Sequence, residues 1–389
     1  MTTPYWLEEP APPLPRMETT GHVDVGIVGA GITGCSCALA LAEAGLRVRL
    51  VDARRVAEGA SGRNGGFALR GTAAPYDAVV ASLGRDRALE LWRWTEAEID
   101  AIERLAGGSF RRLGSLRLAT DGEEREELQD ELEALRADGL EAEWVDVPSG
   151  PLEGRFTAAI RHPADGVLQP ARLVRRLARA AAEQGAEIIE GHRVHDVSEL
   201  DADSVVVATD GYPSGLLGEL EGLVVPTRGQ VIATEPLSER LFEVPHYGRH
   251  GFDYWHQDEH GRLVAGGFRD VALDAEFTAE EAVTDEVQRS LERFVRDLVG
   301  RELRVDYRWA GIFGLVLDFL PVVGRVPGLD GTWVAGGYSG HGNVLGFACG
   351  RLVARAILGD RDPLLGDPDP LLGDRDPLLG LFDPARLLG

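Results

Sequence analysis

Apolar positions along the chain fall into short unbroken runs and longer periodic ones. Residues 23–28 (VDVGIV) are β-branched and followed directly by glycines, the pattern of a strand buried on both faces. Residues 35–43 then bring Ala and Leu in helical order, and residues 46–51 (LRVRLV) read as a second buried strand. Strand, helix and strand in that order make a βαβ unit and predict a parallel sheet. Residues 82–105 and 123–137 are charged, Leu-bearing and helical, whereas 115–119 alternates like a strand. An amphipathic helix over 170–185 leads to a strand at 187–189, and 204–209 is another apolar strand ahead of "ATDG". From 229 to 268, short alternating segments separated by Gly and Asp predict antiparallel strands; 280–299 is helical, 333–335 is a last short strand, and an Ala/Leu-rich helix runs from 344 to 357.

Parallel-strand signals at both ends and in the middle, with antiparallel material between them, predict an α/β fold of discontinuous architecture. One Rossmann-like domain is expected from residues 1–80, 150–225 and 310–358, and a second, α+β domain on a mixed or antiparallel sheet from 81–149 and 226–309. The tail, 359–389, holds a repeat, GDRDPLL, GDPDPLL, GDRDPLL. Proline in every unit rules out a heptad coiled coil. The segment reads as an acidic, Pro-rich, solvated duplication, with a docking peptide as the alternative.

Charge narrows the function. The net charge of -24 opposes binding to a phosphate backbone or an anionic membrane, both of which need excess Lys/Arg. All 40 Lys+Arg positions are arginine, so Schiff-base chemistry on a lysine amine is excluded. Cys35, Cys37 and Cys349 form no framework or metal spacing; reduced thiols in a cytoplasmic protein are expected, with no metal site. The N-terminus lacks signal-peptide architecture, and no apolar run reaches the roughly 18 residues of a membrane span.

Three glycine-rich stretches carry candidate chemistry. "VGIVGAGITG" sets Gly29, Gly31 and Gly34 in G-x-G-x-x-G between the first strand and helix, with Ala30, Ile32 and Thr33 in the same turn. The first glycine permits the turn, the second a close approach to a pyrophosphate, and the third helix-on-strand packing. Asp52, 18 residues beyond Gly34, stands where a ribose hydroxyl would be held, followed by Ala53 and Arg54. "GASGRNGGF", residues 59–67, is expected to lie against a flat ring or phosphate through Ala60, Ser61, Arg63, Asn64, Gly65, Gly66 and Phe67. "GGYSGHGN", residues 336–343, again puts glycines ahead of a helix, whose positive end would stabilise negative charge on a reduced flavin; Gly340, His341, Gly342, Asn343 and Val344 are placed there.

Together with "ATDG" (208–211), "RGQ" (228–230), "DFLPVVG" (318–324) and "SGHG" (339–342), these motifs resemble the D-amino-acid-oxidase-like family of FAD-dependent oxidoreductases, over residues 6–357. "SGRNGG" with "WAGIFGLVL" (309–317) looks most like the gamma-glutamylputrescine oxidase branch. The resemblance implies a FAD domain of the glutathione reductase type, with Val194, Ala208, Thr209, Gly211 and Gly314 completing the cofactor lining. It implies hydride removal by flavin N5 from a carbon next to a neutral amine, an imine that hydrolyses, and electrons returned to O2 as hydrogen peroxide.

Departures from the family bear on the substrate. The arginine that clamps a carboxylate in the glycine-oxidase branch is here Phe313, a second family arginine is Gly340, and the lysine of sarcosine-oxidase relatives is Val344. A carboxylate desolvated without a cation costs several kcal/mol, so an amine is expected rather than a simple α-amino acid. The lysine that helps relatives activate oxygen is missing; His341, His256 or an arginine would have to substitute, or the enzyme is a dehydrogenase. The covalent-flavin cysteine falls near Gly311, so FAD is expected to be non-covalent. Strand alternation puts Tyr254 and His256 on one face and Trp255 on the other; an aromatic wall suits an amine, and packing under a loop is the alternative.

The resulting expectation is a FAD-dependent oxidoreductase acting on a primary or secondary amine such as a gamma-glutamyl polyamine, with His341, Phe313, Trp309, Tyr254 and His256 at the reacting centre. Its partners are a small-molecule amine and O2 or another electron acceptor, without nucleic acid. Two alternatives stand: an amino acid oxidase or dehydrogenase, favoured if Arg228, Arg249 or Arg308 points inward, and a non-catalytic flavin-bearing binding protein.

Overall fold

The computed structural model describes residues 3–11, 13–15, 21–146, 150–359 and 376–388. The chain divides into two compact units: a parallel-sheet unit (Pro10–Gly62, Pro170–Thr227, Phe313–Gly389) and a mixed-sheet unit (Met1–Glu9, Arg63–Gln169, Arg228–Ile312).

In the parallel-sheet unit six strands lie in the order Val322–Arg325, Thr332–Gly336, Ala202–Val207, Val23–Val28, Val48–Asp52, Glu187–Glu190. The last five are parallel, and Val322–Arg325 joins antiparallel. Ile27 stands in register with Leu50 and Val206, all fully buried, which is why these strands read as continuous apolar runs. Helix Ile32–Glu43 is buried almost all round and packs on Pro170–Glu183 and Gly342–Gly359. Small residues let the last pair approach: the Ser36 hydroxyl donates to the Phe347 carbonyl at 3.0 Å, and a side chain at Gly350 would strike Ser36.

In the mixed-sheet unit eight strands run in the order Val305–Leu315, Val225–Pro236, Arg262–Gly267, Asp253–Gln257, His246–Gly248, Ser115–Ala119, Ala158–His162, Glu143–Asp146. His246–Gly248 and Ser115–Ala119 pair in parallel, while hairpin Asp253–Gln257/Arg262–Gly267 is antiparallel. One face is covered by helix Asp285–Val299, whose Val287, Leu291, Val295 and Leu298 recur at helical spacing and pack around Trp255 and Phe242.

Three expectations need correction. The helix read over 82–105 is two, Tyr76–Leu83 and Arg85–Ala106, broken at Gly84 with φ 84°. Residues 63–80 and 150–169 belong to the mixed-sheet unit rather than the Rossmann-like one, because strand Phe67–Ala68 pairs with Gly166–Leu168 in a small three-stranded sheet. Most of the repeat lies outside the described residues, but 376–388 are not solvated tail. Phe382 is fully buried, its carbonyl accepts from Val323 N at 2.9 Å, and Arg386 pairs with Asp318 at 2.8 Å. The segment thereby lies along the edge strand Val322–Arg325, whose outer backbone groups have no other strand beside them among the described residues.

Candidate active site

The glycine loop after Val23–Val28 is built for close approach. Gly29 has φ 106°, and a Cβ there would lie 2.6 Å from the Ala208 carbonyl oxygen; one at Gly34 would strike the Gly29 carbonyl. Asp52 holds this loop: its carboxylate accepts from Ala30 N at 2.6 Å and Arg54 N at 2.7 Å. A carboxylate has about four acceptor sites, so two remain for a hydroxyl pair. Ser61 Oγ accepts from Ile32 N at 2.9 Å, tying the 59–67 loop to the first turn of the helix, and Thr33 Oγ1 meets the Tyr338 hydroxyl at 2.9 Å. Beyond Asp52 and Ala53, the Arg54 guanidinium stacks 4.7 Å above the Tyr212 ring. Val194 is buried in the core beside this sheet, and Ala60 opens the short turn Ala60–Gly62.

A second cradle forms where Ala208 and Thr209 lead out of strand Ala202–Val207. Asp210, held at φ 50°, accepts from Gly314 N at 3.0 Å and Gly337 N at 2.8 Å. Gly211 lies so close to the Phe313 backbone that a side chain would collide with it. One carboxylate thus joins the Phe313–Gly314 segment to the loop ahead of helix Gly342–Gly359. In that loop Gly340 has φ 95° and no atom within 4 Å of its would-be Cβ, while Gly342 and Asn343 start the helix and Val344 is buried. Among the described residues His341 Nδ1 is buried without a hydrogen-bond partner, and burial holds this imidazole down at about 4.

In the mixed-sheet unit Tyr254 and His256 share a face, both edge-on to Phe67 at 5.5 and 5.6 Å, while Trp255 turns into the core. A Cβ at Gly65 would press into the Tyr254 ring at 2.6 Å, and Gly66, at φ 79°, faces the Leu168 carbonyl. His256 Nε2 lies 2.9 Å from the Gly65 carbonyl. Burial lowers His256 to about 4 and pushes Tyr254 up to about 12, so at neutral pH the first is uncharged and the second a hydrogen-bond donor.

Several of the side chains read from the motifs also have partners within the protein. Arg63 is buried, donating to the Ala310 carbonyl at 3.2 Å beside Glu281 at 3.6 Å. Asn64 Oδ1 accepts from Gly66 N at 2.8 Å, fixing the turn. Trp309 is 0% exposed, and its Nε1 donates to the Arg63 carbonyl at 2.9 Å. It therefore supports the loop. Phe313 is half-buried. The three candidate arginines are matched internally: Arg228 to Glu276 at 2.8 Å, Arg249 to Asp253 at 2.5 Å, and Arg308 to Glu292.

The family model for FAD-dependent oxidoreductases matches residues 24–356. The chain belongs to that family. It is 29% identical over 381 residues to gamma-glutamylputrescine oxidoreductase of Escherichia coli, covering 87% of this chain and 84% of the relative. It is also 29% identical to the probable oxidoreductase OrdL of Haemophilus influenzae, covering 91% and 86%. Among solved structures, glycine oxidase from Geobacillus kaustophilus superposes with a TM-score of 0.74 at 23% identity, over 94% of this chain and 98% of that one. L-proline dehydrogenase from P. horikoshii gives 0.72 at 22%, over 95% and 99%.

This FAD-dependent oxidoreductase contains two features that motif reading passed over. Asp210 appeared only as an extra acid in "ATDG", although it organises the second cradle. Trp6 donates to the Asn64 carbonyl at 2.8 Å and stacks on His256 at 6.1 Å, steadying the 63–67 turn from the N-terminal segment. Its signal was the aromatic pair Tyr5–Trp6 in a Pro-rich, acidic stretch.

Proposed function

We propose that this FAD-dependent oxidoreductase oxidises the C–N bond of a primary or secondary amine to an imine, with O2 as electron acceptor. FAD would be held non-covalently by the backbone of residues 29–34, by Asp52, by the 59–62 turn, and by the 340–344 helix start. The fit rests on the crowding that keeps Gly29 and Gly34 bare, the open space at Gly340, and the orphaned Nδ1 of His341. When bound, FAD supplies removal of a hydride from the carbon bearing nitrogen and passage of two electrons onward.

The observation that carries the amine reading is charge. Phe313 offers a ring where a carboxylate clamp is needed, and Arg228, Arg249 and Arg308 are each neutralised by internal acids. An α-carboxylate beside the reacting carbon would therefore be desolvated without a counter-ion. Tyr254 keeps its phenol proton at neutral pH, while neutral His256 faces the Gly65 carbonyl. Neither group is a base for an ammonium at neutral pH, so the neutral amine is the form expected to react.

A dehydrogenase is the second reading. With no lysine, and with His256 and His341 both uncharged at pH 7, neither histidine stabilises charge developing on oxygen, leaving that role to an arginine. An anaerobic panel of amines and amino acids, scored by bleaching near 450 nm and followed by admission of air, tests both points. Amines are expected to bleach the flavin and air to restore it with peroxide formed. Bleaching by amino acids alone would overturn the amine reading, and reoxidation only by an added acceptor would move the assignment to a dehydrogenase.

A further inference from the structure

The turn at residues 316–320 is held from two sides, both within the parallel-sheet unit. On one side it meets the loop ahead of helix Gly342–Gly359. Ser339 N donates to the Gly314 carbonyl at 2.8 Å, and Ser339 Oγ accepts from Val316 N at 3.2 Å. A Cβ at Gly337 would lie 2.6 Å from the Val316 side chain, so the loop closes on the turn only because that residue is bare. On the other side the C-terminal segment grips the turn through Arg386. Its guanidinium donates to Asp318 Oδ2 at 2.8 Å and Oδ1 at 3.3 Å, to the Leu320 carbonyl at 2.9 Å, and back to the Phe382 carbonyl at 2.7 Å. One planar fork thus ties two carbonyls and a carboxylate together, which a lysine amine does not reproduce.

Apolar packing holds the fork in place. Leu378 and Phe382 are buried, Leu387 packs on the core cluster that includes Val316 and Val322, and Pro384 fills the space that a Cβ at Gly324 would need. Two residues here are in the left-handed region without being glycine, Phe319 at φ 57° and Ser339 at φ 50°. Such backbone persists only where surrounding contacts over-determine it. Around Phe319 those contacts are the Leu320 N bond to Asp318 Oδ1 at 3.0 Å and the Arg386 fork; around Ser339 they are Gly314 and Val316. The contacts run in series. Arg386 fixes the Asp318 turn, the turn carries Val316, and Val316 meets Ser339, which directly precedes the open Gly340 and the orphaned His341.

We propose that Arg386 is a positioning residue for FAD. Through Asp318 it fixes the 316–320 turn, and through Val316 and Ser339 the turn sets the backbone of residues 340–344 in the form that receives the cofactor. The inference rests on the reading above that this helix start holds FAD. It gives the C-terminal segment a task beyond lying along an edge strand. Because coupling between two sites is reciprocal, FAD bound at 340–344 also tightens the docking of residues 376–388.

The test uses the full chain, stripped of flavin and titrated with FAD by flavin fluorescence. Arg386→Gln should raise the FAD Kd by about 3- to 30-fold, the range of one link in such a network. Arg386→Lys, which keeps the charge and loses the fork, should recover part of that loss. Asp318→Asn should also weaken binding, and the double variant should lose less than the product of the two, since both remove one contact. Leu200→Ala is the control for general destabilisation: Leu200 is buried where strands Val23–Val28 and Ala202–Val207 begin, at the opposite end from the glycine loop, and its variant should keep the FAD Kd within about twofold. Amide hydrogen exchange gives a readout without mutation, in which FAD should slow both 340–344 and 376–388 of the wild type. The inference is overturned if Arg386→Gln binds FAD as wild type does, if the two losses combine in full, if Leu200→Ala weakens FAD equally, or if FAD slows 340–344 and leaves 376–388 unchanged. Exchange at 340–344 that FAD does not slow would overturn the reading of that helix start, and this inference with it.

Discussion

Asp210→Ala is the perturbation that most directly probes how the cradle is held. Asp210 accepts from Gly314 N at 3.0 Å and Gly337 N at 2.8 Å, joining two segments far apart in sequence. Truncation leaves two partly buried N–H groups without acceptors, at about 1–3 kcal/mol each; water entering the vacated space brings the pair to about 2–4 kcal/mol. Alanine must also occupy φ 50°, which adds about 1 kcal/mol. The loss for Asp210→Ala is therefore about 3–5 kcal/mol. Asp210→Gly removes the same acceptors without the backbone strain and should lose about 1 kcal/mol less than alanine. Asp210→Asn keeps one acceptor but turns an amide donor towards the second N–H, and should fall between wild type and glycine. Urea unfolding of the flavin-free protein gives the stabilities, and flavin fluorescence gives the affinity of each variant for FAD. A loss below about 0.5 kcal/mol for Asp210→Ala, or equal losses for alanine and glycine, would refute this account of the loop.

Two further outcomes follow from the same structure. Gly34→Ala drives a Cβ into the Gly29 carbonyl, an overpacking cost of about 1–3 kcal/mol, and should purify with a lower 450 nm to 280 nm ratio; Gly122→Ala, whose Cβ meets nothing, should keep its flavin. Burial lowers His246 to about 3, below its unfolded value, so the unfolded chain binds more protons as pH falls below about 6.5 and stability drops by about 1.4 kcal/mol per pH unit. His162, at about 3, and His256, at about 4, act in the same direction. His246→Phe, which keeps a ring against Trp255, should therefore lose about 2 kcal/mol less than wild type between pH 7 and pH 5 in urea unfolding. An unchanged pH dependence would show that His246 is not buried neutral.

The parallel core was legible because strands covered on both faces leave uninterrupted β-branched runs: 23–28 coincides with a strand, and the helix read at 344–357 lies within Gly342–Gly359. Alternation also gave the faces of Tyr254, Trp255 and His256 correctly. What sequence could not give were pairings across long stretches of chain. Arg63 and Asn64 looked free to reach a cofactor, but Ala310 and Glu281, distant in sequence, lie against the first, and Gly66 uses the second. Trp309 read as a wall because an apolar strand looks the same whether its ring meets a ligand or a loop; here the Arg63 carbonyl takes its N–H. Whether Arg228 was free also depended on Glu276, 48 residues on, whose contact no local pattern reveals. The docked 376–388 segment escaped for the opposite reason: repeats rich in Asp and Pro carry little apolar signal, and the contacts that hold it, buried Leu378 and Phe382 and the Arg386–Asp318 pair, are to residues distant in sequence.

Whether this site takes an amine and refuses a carboxylate on the reacting carbon can be read from one matched pair in stopped-flow anaerobic reduction at 450 nm. The pair is an amine that bleaches the flavin and the same amine bearing a carboxylate on the oxidised carbon. The carboxylate should raise Kd by about 100-fold or more, the cost of desolvating it without a cation. Equal or tighter binding of the carboxylate-bearing partner, with reduction as fast, would contradict it.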